Sequence, residues 1–458
     1  MSGAEHVNPR RETMNVEHID NARRRVSRPI TIAAMALAAL AVFAGPATAA
    51  ERPNVMIIMS DDQRDDQMKV MERTRQIFDA GGTKFKNGYV TTPLCCPSRS
   101  SILTGQYVHN HGVFGNRGQD FFPHQTSIQR ELSRAGYTNG VFGKFLNGWP
   151  KRLKPPHFDI AKLGYGDNPR LADRRTGVNV RKFLERQERD DDAPWFTVYS
   201  GRAPHTPLVP LGKNRRAKVP KFKPRPSYLE RNLTDKSATV RRKAFEQREL
   251  VRKVNPRKRW RQQERTLLGL DEQIDKTVSK MKQLGESRDT LLFYLSDNGY
   301  LLGEHRLVKK GAPYRESVEV PFYMRWPGEV DAGPNDDRLA ANIDLAPTIY
   351  DAAGITPSYT TDGHSLLGGY RRDFALAEHR FGPWNWAQVF NEDSRYIETY
   401  ERGTRGNVTD REFYDLVEDP FELGNLFATE TGTGSDPRVI EADARLQAAR
   451  NCSGASCP

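Results

Sequence analysis

Two pairs of hard oxygen donors stand at matching places in the chain. Asp61-Asp62 follows the apolar run Asn54-Val55-Met56-Ile57-Ile58-Met59, and Asp297-Asn298 follows Thr290-Leu291-Leu292-Phe293-Tyr294-Leu295. Three carboxylates and an amide oxygen, brought together, would hold a hard divalent cation. Ca2+, which takes about 6–8 oxygen ligands, suits them better than Zn2+, for which the chain offers no His/Cys cluster. Singly, Asp-Asp reads as a solvated turn and Asp-Asn-Gly as a tight turn. Their joint occurrence at the ends of two apolar runs favours the cation.

The second stretch with chemistry is Leu94-Cys95-Cys96-Pro97-Ser98-Arg99-Ser100-Ser101-Ile102-Leu103-Thr104-Gly105. Pro97 and Ser98 read as a helix start. Cys95 is then expected just outside the positive end of a short helix, with Arg99 one turn in. Such a place lowers a thiol's pKa and favours anions. A structural cysteine pair is the other reading of Cys95 and Cys96. The stretch resembles the signature of the type I sulfatases, Cys-x-Pro-Ser-Arg followed by x-x-x-Leu-Thr-Gly. In that family the first cysteine, here Cys95 and not Cys96, is oxidised to formylglycine (3-oxoalanine). The hydrate of this aldehyde offers one hydroxyl to attack sulfur and a second to expel sulfate. Further matches run in the family's order from about residue 52 to 427.

The resemblance implies roles for other residues. Asp61, Asp62, Asp297 and Asn298 hold Ca2+, joined by an oxygen of the modified Cys95. Arg99 holds the formylglycine hydroxyl and the carboxylates beside the metal. Lys144, in Gly143-Lys144-Phe145-Leu146-Asn147, grips a sulfate oxygen. The common form Gly-Lys-Trp-His is absent, because Leu146 stands at the histidine position. Gly-Lys-x-Leu-Asn instead resembles the N-acetylglucosamine-6-sulfatases and heparan 6-O-endosulfatases, as does Tyr107-Val108-His109-Asn110-His111, and Asn147 is carried over as a substrate contact. His205, in Ala203-Pro204-His205-Thr206-Pro207, and Lys310, four residues before Tyr314, complete the expected catalytic set. Lys144, His205 and Lys310 are expected to neutralise the sulfuryl oxygens, with His205 or Lys310 protonating the leaving alcohol. His305, in Gly303-Glu304-His305, reads either as a substrate contact or as packing, and His109 or His111 as a buttress of the nucleophile helix.

These residues need a scaffold. The apolar run at 54–59 reads as a strand buried on both faces, and the stretch after Gly136, Trp195–Ser200 and the run at 290–295 read as further strands. Helices are expected over 66–80, 126–136 and 343–350, and around Leu267, Leu268, Leu270, Ile274, Val278 and Met281. Alternation of strands and helices implies an α/β fold with a mainly parallel sheet, whose sites lie at the carboxyl ends of its strands. The resemblance makes this an alkaline-phosphatase-like sandwich. It adds a small C-terminal α+β domain with an antiparallel sheet, carrying Glu412-Phe413-Tyr414-Asp415-Leu416. The expected boundaries are a leader at 1–50, a catalytic domain at 51–355 and the small domain at 356–458.

The leader reads as a cleaved secretory signal, with Arg23-Arg24-Arg25 and Arg28 before the apolar stretch Ile30–Phe43 and small residues at Ala47-Thr48-Ala49. Cleavage is expected near Ala49/Ala50, placing the protein outside the cytoplasm. No later apolar run is long enough for stable membrane insertion. In an exported chain Cys452 and Cys457 are expected to form a local disulfide, while adjacent Cys95 and Cys96 are not. Residues 213–265 carry 20 Lys and Arg against 5 Asp and Glu, a net +15, so the remainder of this +12 chain is at −3. This basic insertion reads as a solvated surface or as a landing surface for a polyanion. Export favours sulfated polysaccharide over nucleic acid.

The expected activity is an exported sulfatase acting on sulfated saccharides or aryl sulfates. Maturation requires a formylglycine-generating enzyme. Rival readings are a phosphonate or phosphate ester hydrolase of the same superfamily and an unmatured polyanion-binding protein.

Overall fold

The computed structural model describes residues 52–458 apart from 165–167, 190–192, 331–332, 405 and 429–435. The expected leader lies outside the described residues. Along the chain run β1 (Asn54–Asp61), α1 (Glu72–Asp79), β2 (Gly82–Tyr89), α2 (Cys95–Thr104), α3 (Val108–His111), α4 (Ile128–Arg134), β3 (Thr138–Gly143) and β4 (Ile160–Leu163). Next come α5 (Ala172–Arg189), β5 (Trp195–Pro204), α6 (Ala238–Lys253), α7 (Pro256–Gln283), β6 (Thr290–Ser296), β7 (Leu301–Leu302), β8 (Val308–Lys309) and α8 (Arg315–Val318). The remainder is β9 (Phe322–Arg325), β10 (Gly333–Ala341), α9 (Leu345–Ala352), β11 (Ala375–Phe381), β12 (Trp384–Phe390), β13 (Ser394–Tyr400), β14 (Val408–Asp415) and α10 (Pro437–Ala449).

Eight strands form the main sheet in the order β10-β2-β9-β6-β1-β5-β3-β4. Every pairing is parallel except those of β9, which runs against both β2 and β6. The continuous apolar runs are explained by burial on both faces. Val55, Ile57 and Met59 face one layer with Ile102, Leu132 and Ile349. Met56 and Ile58 face the other with Val180, Leu270 and Ile274. Side chains alternate across a strand, so both faces must be apolar when both are covered.

Helix α7 shows how the second layer is held. Leu267, Leu270, Ile274, Val278 and Met281 recur at helical spacing and are all at most 1% exposed. Each such side chain contributes about 1.5–3 kcal/mol relative to exposure. The helix begins at Pro256, with the Asn255 side chain accepting from the Lys258 amide, so the basic insertion is split into α6 and α7 rather than running as one rod. Residues expected helical over 66–80 form a short 3-10 segment, Asp65–Val70, before α1.

Strands β11–β14 form an antiparallel sheet in sequence order. Its Trp386, Tyr396, Phe413 and Tyr414 share one apolar cluster with Tyr89, Tyr107 and Tyr314, and with Leu446 of α10. The C-terminal segment is thereby welded to the back of the loops that carry the functional side chains. The structure joins Cys452 to Cys457 in a disulfide.

Candidate active site

Parallel neighbours end at the same edge, so the register decides which side chains meet. Ser60 pairs with Ser296, Asp61 with Pro204, and Gly143 with Ser200. The residues that follow these positions are Asp61-Asp62, Asp297-Asn298, His205 and Lys144. Gly143 has φ +93°, and a Cβ there would lie 1.9 Å from the Ser200 carbonyl oxygen. Only glycine lets the chain turn there so close to β5.

Helix α2 enters from Leu94, which is extended, and every one of its residues is buried. The helix starts at Cys95 itself, with the Ser98 amide donating to the Leu94 carbonyl at 2.9 Å. This corrects the expected start at Pro97-Ser98: proline sits within the first turn, where it has no amide partner to lose. The Cys96 amide donates to Asn116 Oδ1 at 3.0 Å, and Asn342 Nδ2 donates to Ser98 Oγ at 3.0 Å. Gly105, at φ +68°, ends the helix in the left-handed region.

One donor atom each from Asp61, Asp62, Cys95 and Asp297 lies within 4.8 Å of the others, and all four residues are buried. Cys95 Sγ is 3.5 Å from Asp61 Oδ1, the Asp62 amide donates to Asp297 Oδ1 at 3.2 Å, and Asn298 Nδ2 donates to Asp62 Oδ1 at 2.7 Å. Three cations neutralise the carboxylates. Arg99 Nε meets Asp297 Oδ2 at 2.8 Å, while its Nη1 donates to Ser200 Oγ at 2.6 Å and to the Lys144 carbonyl at 2.8 Å. Lys144 Nζ meets Asp61 Oδ2 at 2.8 Å. Lys310 Nζ contacts Asp62, donates to Cys95 Sγ at 2.7 Å and lies 3.1 Å from Asn298 Oδ1. His205 stands at the rim, 34% exposed, with Nε2 3.8 Å from Asp62 Oδ2. Its Nδ1 donates to the Thr206 carbonyl at 2.7 Å, so Nε2 carries a proton only in the imidazolium form.

The electrostatics follow from this packing. Burial would raise the Asp61 carboxyl, but Lys144, His205, Arg99 and Lys310 outweigh it and hold it well below the usual range. Burial would lower Lys144 and Lys310, but the carboxylates raise both, Asp61 foremost for Lys144 and Asp62 for Lys310. The Cys95 thiol is pushed up to about 12, by burial first and Asp297 next. This corrects the expectation of a lowered thiol pKa: desolvation and nearby carboxylates overcome the helix end, so the thiol keeps its proton. Cys96 is buried and free, as expected of a packed thiol.

A cleft of about 340 Å³ opens beside these groups, lined by Asp61, Lys144, Asn147, Trp149, Lys151 and His205 among others. Asn147 Oδ1 is buried there without a hydrogen-bond partner. Leu146, at the family's histidine position, packs into the core instead. The structure does not bring His305 into the cleft. It is fully buried, stacked on Tyr314 with ring centroids 3.9 Å apart, and donates from Nδ1 to Glu230 Oε2 at 2.7 Å. Glu304 pairs with Arg64 at 2.7 Å. His111 accepts from the Val113 amide at Nδ1 and so donates from Nε2 to Ser101 Oγ at 3.0 Å, bracing α2. His109 donates to Glu378 at 2.7 Å and to the Cys452 carbonyl at 2.9 Å. Ser200, Asn116 and Asn342 support the site without any signal in the sequence, because each acts on α2 or Arg99 from a distant element. Trp149 and Lys151 were legible only as an aromatic and a base just after Asn147.

A sulfatase family profile matches residues 53–355. An extracellular sulfatase homolog of Drosophila melanogaster is 32% identical over 391 residues, 77% of this chain, which spans only 34% of that relative. Human N-acetylglucosamine-6-sulfatase is 29% identical over 498 residues, covering 91% of this chain and 88% of that enzyme. Among solved structures, one described as a complex with its substrate D-glucosamine-2-N,6-O-disulfate superposes with TM-score 0.71 at 22% identity, covering 87% of this chain and 98% of the other. A phosphonate monoester hydrolase of Agrobacterium radiobacter gives TM-score 0.68 at 20% identity, covering 86% and 96%. These likenesses show the expected alkaline-phosphatase-like sandwich. The profile match, which spans all eight strands of the large sheet, shows that this chain belongs to the sulfatase family.

Proposed function

We propose that this chain is an exported Ca2+-dependent sulfatase that hydrolyses sulfate esters of sulfated sugars, with Cys95 matured to formylglycine. The observation that carries it is the seat of Cys95: buried, 2.7 Å from Lys310 Nζ, 3.5 Å from Asp61 and clustered with the Asp62 and Asp297 carboxylates. Formylglycine would supply a hydroxyl nucleophile at that position. The donor set fits a hard cation, being three carboxylates and an amide with no imidazole among them. Asp61, Asp62, Asp297 and Asn298 would hold Ca2+, which when bound adds positive charge where the sulfuryl oxygens develop negative charge.

The chain's own groups do the rest. Lys144, on the wall of the cleft, and Lys310, beside Cys95 Sγ, are both raised in pKa by their carboxylates and bind the sulfuryl oxygens. Arg99 locks Asp297 and the Lys144 carbonyl, and so fixes the nucleophile helix against the ends of β3 and β6. His205 at the rim or Lys310 beside position 95 delivers the proton to the leaving alcohol. Asn147 and Trp149 meet the sugar. Residues 51–355 carry this chemistry and 356–458 brace it from behind. Export is supported by the relative named as extracellular, and no helix among the described residues is long and apolar enough to cross a membrane.

The peptide containing Cys95 should show aldehyde mass in material from a host with a formylglycine-generating enzyme. Such material should release inorganic sulfate faster than phosphate from paired aryl esters. Cys95→Ser should lose multiple turnover. An unmodified thiol together with full activity would end the reading, and faster phosphate release would replace it with a phosphonate or phosphate ester hydrolase.

A further inference from the structure

A second cationic site lies outside the catalytic cluster, in the basic insertion. The segment 216–222 runs beside the start of α7 and leaves a groove of about 750 Å³. Arg216, Lys218 and Lys221 line it from the segment, and Arg257, Arg261 and Arg265 from the helix. The helix residues are spaced by four, so they form one stripe, about 6 Å apart along the axis. The groove is built rather than incidental. Trp260 Nε1 donates to the Pro220 carbonyl and Arg265 Nε to the Ala217 carbonyl, both at 3.0 Å, tying segment to helix.

Its charges lack counter-ions. Among the described residues, no carboxylate pairs with any of these six cations, and all but Arg265 are exposed. Three basic residues one helix earlier are paired: on α6, Arg242 and Lys243 meet Glu246, and Arg252 meets Glu249. Six like charges around one groove repel one another, and a multivalent anion relieves that repulsion. The groove also adjoins the catalytic loops. Its floor, Trp260, packs with Tyr300 and Leu302, two and four residues beyond Asn298. The Arg64 guanidinium, two residues beyond Asp62, lies 5.9 Å over the same ring, and Arg259 donates to the Tyr300 hydroxyl at 3.0 Å.

We propose that this groove binds the anionic groups of a multiply sulfated polysaccharide while a sulfate ester elsewhere on the same chain occupies the cleft. The inference rests on the sulfatase reading for the second half of that statement only; the binding half stands alone. The test compares full-length protein with two charge-matched triple variants. One is Lys221→Gln/Arg257→Gln/Arg261→Gln in the groove, and the other Arg242→Gln/Lys243→Gln/Arg252→Gln on α6. Binding to heparin, to desulfated heparin, to duplex DNA and to phosphatidylserine vesicles is measured across salt.

The groove triple should weaken heparin binding about tenfold and flatten its salt dependence by about two to three counter-ions, while the α6 triple changes binding less than about twofold. In matured enzyme the groove triple should raise KM for the sulfated polysaccharide and leave an aryl sulfate unaffected. Equal losses in both triples would overturn the site, since charge alone would then suffice. Duplex DNA or vesicles bound as tightly as heparin, with the same loss in the groove triple, would overturn the polysaccharide as occupant. Heparin binding lost in the groove triple alongside no sulfate release from any ester would keep the groove and end the sulfatase reading.

Discussion

Cationic side chains gather in two regions of this molecule under opposite rules. Around Cys95, Arg99, Lys144 and Lys310 are nearly buried, with side-chain exposures of 2%, 11% and 12%, and each meets a carboxylate. Along the insertion groove five of the six cations are exposed, and among the described residues no carboxylate pairs with any of them. In the interior an unpaired charge costs several kcal/mol, so each cation there must come with its partner and is fixed by it. In water the same charge is solvated cheaply and remains available to an exchangeable ligand. The first arrangement yields geometry and lysines held above their ordinary pKa; the second yields reach, and sensitivity to salt.

Breaking the interior set should produce the largest effect. Arg99→Ala leaves Asp297 buried without its guanidinium and should cost about 3–5 kcal/mol in urea unfolding, with loss of turnover. Arg99→Lys should not rescue it, because one ammonium cannot reach Asp297, Ser200 and the Lys144 carbonyl together. If Arg99→Ala is as stable as the parent, the interior pairing does not hold the site.

Removing Ca2+ comes next. Chelation should lower stability by about 2–3 kcal/mol relative to a calcium concentration near a hundred times Kd, read as a shift in Tm, and should abolish sulfate release. Heparin binding at the groove should be untouched, and its loss on chelation would merge the two regions into one.

The groove should respond to salt where the interior does not. Raising salt from about 50 to 200 mM should weaken heparin binding by one or more orders of magnitude and leave kcat on an aryl sulfate nearly unchanged.

The smallest effect concerns a buried pair that belongs to neither set. Burial would lower His109, but Glu378 raises it. Burial would raise Glu378, but His109 brings it down to about 2. The raised His109 contributes stability below the unfolded histidine value, about 6.5, and loses it as pH rises through its folded value. The depressed Glu378 contributes above about 4.3 and loses it as pH falls toward 2. The Tm difference between parent and His109→Gln should therefore be largest at about pH 5–6, by a few degrees, and shrink on either side.

Much of the fold was legible because burial on both faces of a parallel strand leaves a largely apolar run, as in Val55–Met59 of β1 and Leu291–Leu295 of β6. Their polar tips marked the site edge for the same reason. Other features were hidden by non-local packing. The repeat of Arg257, Arg261 and Arg265 is visible in the chain, but not that Val219 and Pro220 lie opposite it. His305 has the same neighbours in sequence whether it faces a ligand or, as found, Glu230 and Tyr314.

The chain's own order of residues determined which chemistry is present: hard oxygens after apolar strands, a cysteine in the sulfatase signature, and a surplus of base in one insertion. Tertiary structure alone decided the state of that chemistry. Desolvation raised the thiol that a helix end would have lowered. Partners 83 to 248 residues away chose which cations around Cys95 are neutralised. Charge is a property of each residue, but its solvent and its counter-ion are supplied by whatever the fold sets beside it.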